Sequence, residues 1–273
     1  AISTLARCVN LYLITTALTS LSISKALIIR GVDYRLISDL SLRYMNIQYY
    51  YEALLTVIPG IPTTLSLALL AFIIGLVLGS LLLLVRFFLS KPFTWLASAY
   101  VEAFRGTPLL VQIFIVYFGV GGYLKEFGIN IDPFTAGVIA LGLNSAAYQA
   151  EIFRAAVQAI PVEQYLTAEA YAFKKTETFR YIIMPQALRN ATPALMNELI
   201  LLIKDSSLVA VIGVVPPDIF RRADYYSASK FAYFEAYMAA ATVYFAICYA
   251  MVKISHWIEK KYAIPGYLRR GVI

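Results

Sequence analysis

The chain has 273 residues, of which 60% are hydrophobic and 14% are charged, and its formal net charge is +7 at pH 7. Soluble proteins average about 25% charged residues, so this composition excludes an ordinary soluble enzyme. The positive charge does not indicate nucleic-acid binding, because no dense basic arm or aromatic-spaced basic face occurs. Cys8 and Cys248 lie far apart and lack metal-ligand spacing, which favours inert thiols over a disulfide or a zinc site.

Long uncharged runs indicate membrane spans, each of which needs about 20 apolar residues. Four runs of 33, 19, 18 and 17 residues cover 53–85, 106–124, 133–150 and 236–252. Their length and the many aromatic residues predict an all-α, polytopic integral membrane protein. The predicted spans are 61–86, a broken span over 93–123, 134–153, 190–213 and 234–256.

The distribution of Lys and Arg predicts the orientation of these spans. Segments 86–105, 154–189 and 253–273 carry 3, 5 and 5 basic residues, whereas segments 125–132 and 218–235 carry 1 and 3. Cytoplasmic loops are enriched in basic residues, so the 154–189 loop and the carboxyl terminus are predicted to lie in the cytoplasm.

The amino-terminal part is harder to assign from its sequence. Residues 1–33 are predicted to form an extra membrane segment, with the apolar region of a signal peptide as the alternative. Residues 34–60 then form an interfacial approach, 61–260 the transmembrane domain, and 261–273 a cytoplasmic tail.

The second span is interrupted at 102–108, where the sequence reads EAFRGTP. Gly106 loosens the helix, and Thr107-Pro108 suits an N-cap followed by the first helical residue. A half-helix is therefore predicted to restart at Pro108, with its positive dipole end in the membrane interior, where it could hold a carboxylate. The alternative is a packing kink in which Glu102 and Arg105 neutralise each other.

Several charged or polar residues fall inside predicted spans, where an unpaired charge costs at least about 2.5–3.5 kcal/mol. They should face protein or water, and they indicate either a polar translocation path or structural pairs such as Glu151 with Arg154. For Lys204, extension to the interface is a further alternative. The predicted substrate path consists of Glu102, Arg105, Thr107, Asn144, Glu151, Glu198, Lys204 and Asp205.

A short amphipathic helix is predicted after the third span, beginning at Pro161. Val162, Leu166, Ala170 and Phe173 form an apolar stripe at helical spacing. The helix is too short to cross a membrane, so we expect it to present a surface to a partner protein, with lipid contact as the alternative.

Four strings together resemble the membrane permease subunits of type I ATP-binding cassette (ABC) importers of polar amino acids. They are YVEAFRGTPLLVQ at 100–112, SAAYQAEIFR at 145–154, MPQALR at 184–189 and KDSSL at 204–208. The resemblance covers residues 45–260 and is specific, because the strings occur in the family's order and spacing.

The resemblance implies a core of five spans in the cell membrane and a second permease subunit, identical or homologous. It also implies two ATPase subunits that bind ATP and Mg, an extracytoplasmic substrate-binding protein, and an amino acid as substrate. The chain itself has no Walker A string and needs no cofactor, so it is not predicted to be an enzyme.

In this family a cytoplasmic coupling helix docks on the ATPase, and here residues 162–178 are expected to form it as one rigid lever. The family's usual Glu-Ala-Ala start falls on Leu166, Thr167 and Ala168, and its usual Gly falls on Ala172, so the motif is degenerate. The residues expected to contact the ATPase are Val162, Leu166, Thr167, Ala168, Glu169, Ala170, Ala172 and Phe173. The rival functions are an ion-coupled secondary transporter and a structural membrane subunit.

Overall fold

The computed structural model describes residues 46–262 of the chain. Contacts divide the chain into two units, Ala1–Tyr50 and Tyr51–Ile273, and of the first unit residues 46–50 are described. The predicted amino-terminal segment 1–33 and most of the predicted tail 261–273 lie outside the described residues. Within residues 46–262 all the regular secondary structure is helical, as predicted.

The first helices are α1 (Ile47–Val57), α2 (Ile61–Phe88), α3 (Lys91–Gly106), α4 (Leu109–Phe114) and α5 (Gly121–Glu126). They are followed by α6 (Pro133–Gln158), α7 (Val162–Ala170), α8 (Lys175–Glu177), α9 (Met184–Asp205), α10 (Ile219–Lys230) and α11 (Tyr233–Tyr262). Turns of 3₁₀-helix cover Ile58–Gly60 and Ser206–Ile212, and π-helical segments cover Ile115–Val120 and Thr178–Ile183.

Helices occur at every predicted span, with some differences in their bounds. The break in the second span is confirmed between α3 and α4. The helix of the predicted fourth span begins six residues early, at Met184, and its α-helical part ends at Asp205 rather than 213. In the predicted interfacial approach, the described residues from Ile47 onward are already helical.

By length and composition, three segments in the described part of the chain are able to cross a membrane: Ile47–Phe88, Leu109–Glu126 and Tyr233–Lys260. Helices α6 and α9 are less apolar because they carry buried polar side chains such as Asn144 and Glu198. A polar residue inside a bundle faces protein rather than lipid, so the crossing of α6 and α9 stays a prediction that their burial favours.

Helix α6 lies at the centre of the bundle and packs against α2, α3, α4 and α9. A stripe of small residues on α2, Ala71, Gly75 and Gly79, is buried. A Cβ atom added at Gly79 would lie 3.1 Å from the backbone of Ala146 and Ala150 on α6, so the stripe allows close packing of these two helices.

The start of α6 is fixed by Asp132, whose carboxylate accepts hydrogen bonds from the Phe134 and Thr135 backbone N–H groups at 2.9 and 3.1 Å. The Thr135 hydroxyl donates a third at 2.6 Å, and together these bonds hold the pKa of Asp132 below its usual value. This N-cap satisfies donors that the first helical turn would otherwise leave unpaired.

Candidate functional site

The short helix α7 follows the carboxyl end of α6. Pro161 is its N-cap, in extended backbone, so the helix begins one residue later than the sequence predicted. Glu163 in the first turn complements the positive end of the helix dipole. The predicted lever over 162–178 is wrong in extent, because α7 ends at Ala170 and a separate helical segment begins at Lys175.

The end of α7 is a Schellman motif. The Phe173 N–H donates to the Ala168 carbonyl at 3.0 Å, and the Ala172 N–H donates to the Glu169 carbonyl at 2.9 Å. Closing these bonds places Ala172 in the left-handed region, with φ of 58°. The predicted contact residues Ala172 and Phe173 therefore lie beyond the helix, in the turn that terminates it.

The two faces of α7 differ in their exposure. Val162 and Leu166 are 61% and 58% exposed, and Thr167, Glu169 and Ala170 are also exposed. Ala168, by contrast, is 1% exposed and faces the body of the protein. The expected contact with a partner is therefore wrong for Ala168, whose burial leaves it no free surface.

The buried face of α7 rests on an apolar cluster, which we call the base. Tyr165 packs against it, and burial raises the pKa of the Tyr165 phenol, which stays neutral. The base joins the ends of α2 and α6 to the start of α9. Its buried members are Leu83, Phe153, Ala156, Val157, Ile160, Phe179, Ile183, Ala187 and Ala191.

Lys175 fastens the segment after α7 to α2. Its ammonium donates to the Phe87 carbonyl at 2.8 Å, in the last turn of α2, where helix carbonyls lack partners. The same Nζ lies 5.0 and 5.6 Å from the ring centroids of Phe87 and Phe88, within range of a cation–π interaction. Phe179 packs against both rings.

The helix break between α3 and α4 is stabilised by Gln112. Its side-chain amide donates to the Phe104 carbonyl at 2.8 Å and to the Thr107 carbonyl at 3.1 Å, which satisfies carbonyls freed by the break. Asn144 of α6 donates to Gln112 Oε1 at 2.9 Å. Pro108 is the N-cap of α4 and makes no side-chain cap, so the predicted capping role of Thr107 is wrong.

The Thr107 hydroxyl instead donates to the Ala103 carbonyl at 2.8 Å and accepts from Gln112 Nε2 at 2.9 Å. It thus belongs to the same network as Gln112 and Asn144. Because Asn144 lies near the middle of α6, the break is at the level of mid-bundle, and its depth in the membrane stays a prediction.

Glu198 of α9 is 7% exposed and lies against α6. The Ser145 hydroxyl donates to Glu198 Oε1 at 2.8 Å, and Gln149 Nε2 donates to Ser145 Oγ at 2.9 Å. Gln149 also donates to the Phe72 carbonyl of α2 at 3.2 Å. This polar chain ties three helices together.

Glu151 lies among three arginines at the end of the bundle that carries α7, which we call the α7 end. Its Oε1 pairs with Arg86 Nη1 at 2.5 Å, and its Oε2 pairs with Arg154 Nη2 at 2.7 Å. Arg105 Nη1 is 3.7 Å from Oε2, and its guanidinium lies 5.5 Å from the Tyr148 ring centroid. Arg105 therefore pairs with Glu151 and not with Glu102 as the alternative reading held.

The remaining predicted path residues lie elsewhere. Glu102 is exposed and forms no ion pair with any residue of the described part. Asp205 ends α9, and Lys204 lines a cavity of about 360 Å³ with aromatic residues including Tyr237 and Tyr244. The structure thus distributes the predicted path over several places instead of one central cluster.

Sequence reasoning did not select Gln112, Ser145, Gln149 and Arg86 as site residues. Gln112 and Arg86 stand within or next to long apolar runs, where a polar side chain needs a buried partner. The sequence therefore contained a sign that these residues have buried partners, but it did not show which helices supply those partners. In residues 46–262 no cluster of three or more His, Cys, Asp or Glu side chains is arranged to hold a metal ion.

Residues 71–263 match the family model of the inner membrane component of binding-protein-dependent transport systems. The chain belongs to this family. It is a permease subunit of an ABC transporter, which favours the predicted importer over the ion-coupled secondary transporter.

Named relatives agree with this assignment. The arginine transport system permease protein ArtQ of Bacillus subtilis (strain 168) is 40% identical over 205 residues, covering 75% of this chain and 91% of ArtQ. The L-cystine transport system permease protein TcyB of the same organism is 37% identical over 203 residues, covering 74% and 84%.

Solved structures give the same result. The crystal structure of an amino acid ABC transporter with histidines matches with a TM-score of 0.73 and 39% identity, over 80% of this chain and 99% of that one. The inward-facing MetNI methionine ABC transporter matches with a TM-score of 0.58 and 18% identity, over 82% and 99%. The second likeness concerns the fold alone.

Proposed function

We propose that this chain is the permease subunit of an ATP-driven importer of polar amino acids and that α7 is its coupling helix. The observation that carries the coupling role is a short helix with exposed apolar residues, Val162 and Leu166, seated on a packed base. Exposed apolar surface on an otherwise well-packed protein marks an interaction site. ArtQ and TcyB, which are named as permeases of arginine and L-cystine transport systems, support the substrate class.

The partners follow from the family. Two ATPase subunits bind ATP and Mg and contact α7. A second permease subunit completes the translocation pathway, and an extracytoplasmic binding protein delivers the amino acid. The α7 end faces the cytoplasm, as does the carboxyl terminus. The basic residues Arg86, Lys91, Arg154 and Lys175 near that end support this orientation by the positive-inside rule.

The base provides the route by which α7 moves the membrane helices. Tyr165 packs against the base, which contains Phe153 of α6 and Ala187 of α9, and Ala168 on the same helix is buried. Lys175 adds a polar attachment to α2. Because packed cores deform little, a displacement of α7 by the ATPases is passed to α2, α6 and α9 together.

The coupling role is tested by placing a charge on the exposed face of α7. In proteoliposomes containing the complete transporter, Leu166→Asp should lower ATP-dependent uptake about tenfold, because it buries an unpaired carboxylate in an apolar contact. Ile129→Asp is the matched control, since Ile129 is 54% exposed in the loop before α6, far from α7 along that helix. Equal uptake by the two variants would refute α7 as the contact.

Within the membrane we propose that the amino acid passes polar groups of α3, α6 and α9, with Glu198 binding the positively charged side chain of a cationic substrate. Glu198→Ala should lower the ratio of arginine to glutamine uptake about tenfold, because a charge-assisted hydrogen bond is lost. Ser145→Ala, which keeps the carboxylate and removes its donor, is the control and should leave the ratio unchanged. If both variants retain the original ratio, Glu198 only links α9 to α6 and does not bind substrate.

A further inference from the structure

A cavity of about 520 Å³ lies beside Glu151 at the α7 end, between the end of α3, the second half of α6 and the first half of α9. This volume is within the range of small-molecule sites, about 300–1,000 Å³. Its apolar lining is mostly alanine, which leaves the space open: Ala155, Ala156, Ala159, Ala191 and Ala194. Its polar lining consists of Arg105, Tyr148, Glu151, Arg154 and Asn190.

Three of these polar side chains have hydrogen-bonding capacity that no other described residue uses. The Arg105 guanidinium, the Tyr148 hydroxyl and the half-buried Asn190 amide each lack a hydrogen-bond partner within residues 46–262. They come from α3, α6 and α9 and converge on one cavity. Polar groups that converge without partners on an alanine-lined cavity are the arrangement expected of a ligand site.

The charges in the cavity favour an anion. One carboxylate, Glu151, faces three guanidinium groups, and both of its oxygens are already engaged by Arg86 and Arg154. Three positive charges against one negative leave the cluster with a net charge of +2. Arg105 and Arg154 are 44% and 43% exposed at their side chains, so a ligand can reach them. Arg154 already donates from Nε and Nη2 to Glu151 and from Nη1 to Gln158, which leaves one N–H on each Nη for a ligand. A planar guanidinium matches a carboxylate with two parallel hydrogen bonds.

We propose that this cavity binds a small carboxylate through Arg105 and Arg154, with Asn190 and the Tyr148 hydroxyl completing the site. Its ligand is the carboxylate of the amino acid leaving toward the cytoplasm, an assignment that rests on the proposed function. Occupancy then depends on the cytoplasmic amino-acid concentration, so the cavity is a product-binding site separate from Glu198.

The test uses the transporter complex with its ATPases in lipid nanodiscs and trifluoroacetate as the probe, followed by its ¹⁹F linewidth. Wild type should broaden the signal, and Arg105→Gln and Arg154→Gln should each weaken trifluoroacetate binding about tenfold, because each removes a charge-assisted hydrogen bond. Arg180→Gln is the matched control, since Arg180 is exposed, lies over the Tyr181 ring and does not line the cavity. Arg105→Lys keeps the positive charge but loses the planar guanidinium. Weak broadening of the ¹⁹F signal by this variant would therefore show that the two parallel hydrogen bonds of the guanidinium are needed, and not that the protein is misfolded.

Competition identifies the ligand. Glycine should restore the narrow signal, and glycinamide, which lacks the carboxylate, should not. Equal broadening by wild type and both cavity variants overturns the site, and displacement by inorganic phosphate but not by glycine overturns the carboxylate assignment. A complex that imports amino acids without Arg105-dependent broadening refutes this site while leaving the proposed function intact; a chain that recruits no ATPase refutes the proposed function itself.

Discussion

The middle of α6 and its α7 end both carry polar side chains, and the two regions differ in how those side chains are paired. In the middle, Asn144 and Ser145 hydrogen-bond to Gln112 and Glu198, and each contact joins α6 to another helix. At the α7 end, both carboxylate oxygens of Glu151 are paired with arginines. Arg105, by contrast, has N–H groups that donate no hydrogen bond to any described residue.

This difference separates polar residues required by folding from those available for ligands. A buried amide without a partner costs roughly 1–3 kcal/mol, so the pair of Asn144 with Gln112 is explained by helix packing alone. Glu198, which we propose to bind substrate, is hydrogen-bonded to Ser145 through one of its two carboxylate oxygens.

Gln149 Oε1 departs from the pattern, because it is buried and unpaired in the described part of the chain. At the α7 end, Arg86 Nε is likewise buried and unpaired in the described part, but the exposure of Arg105 and Arg154 lowers the cost for these two, and a ligand can supply the missing acceptors.

The strongest way to test the comparison is Gln112→Leu in the middle of the bundle. The variant leaves the carbonyls of Phe104 and Thr107 without the bonds that Gln112 donates, and it removes the nearer of the two acceptors of Asn144, the other being the Phe104 carbonyl at 3.3 Å. We expect the free energy of unfolding to fall by about 2 kcal/mol. The measurement is the midpoint of detergent-induced unfolding of the purified permease.

Gln158→Leu is the control for that experiment. Gln158 accepts one hydrogen bond from Arg154 at the exposed end of α6. Surface changes of this kind alter stability by less than about 0.5 kcal/mol. Equal losses for the two variants would mean that pairing in the middle contributes no more than pairing at the surface, and the comparison would fail.

The helices and the break in the second span could be predicted because uncharged runs and the Gly-Thr-Pro string act locally. The pair of Glu151 with Arg154, three residues away, was predicted and is confirmed. The distant partners of Glu151 and Gln149 could not be predicted. Arg86 lies 65 residues from Glu151 and the Phe72 carbonyl 77 from Gln149. Such pairs are created by the packing of α2 against α6. The sequence therefore indicated which residues need partners but not which partners they find.

A smaller effect is expected for Lys175→Met at the α7 end. The variant loses the hydrogen bond to the Phe87 carbonyl and the cation–π contacts, which lowers the free energy of unfolding by about 1 kcal/mol. If Lys175 transmits movement from α7 to α2, the variant should also hydrolyse more ATP for each amino acid imported. The measurement is the ratio of the two rates in proteoliposomes.

Lys174→Met is the matched control, because the contact that Lys174 makes with Glu177 uses its backbone N–H. Lys175→Arg retains a cation at the end of α2 and should preserve most of the coupling. An unchanged ratio of ATP hydrolysis to import in Lys175→Met would confine Lys175 to a structural role.

The smallest expected effect concerns the end of α7, which the sequence did not predict. Residues 162–178 were expected to form one helix, and Ala ordinarily favours helix continuation, yet Ala172 adopts a φ of 58°. A left-handed Ala costs about 1–2 kcal/mol, while Gly adds a smaller entropic cost in the unfolded chain, so Ala172→Gly should stabilise the motif by about 0.5 kcal/mol. Ala170→Gly, inside the helix, should have the opposite sign. Hydrogen exchange of the Ala172 and Phe173 amides, which close the motif, measures both changes; faster exchange in Ala172→Gly would show that the left-handed alanine is not the weak point of α7.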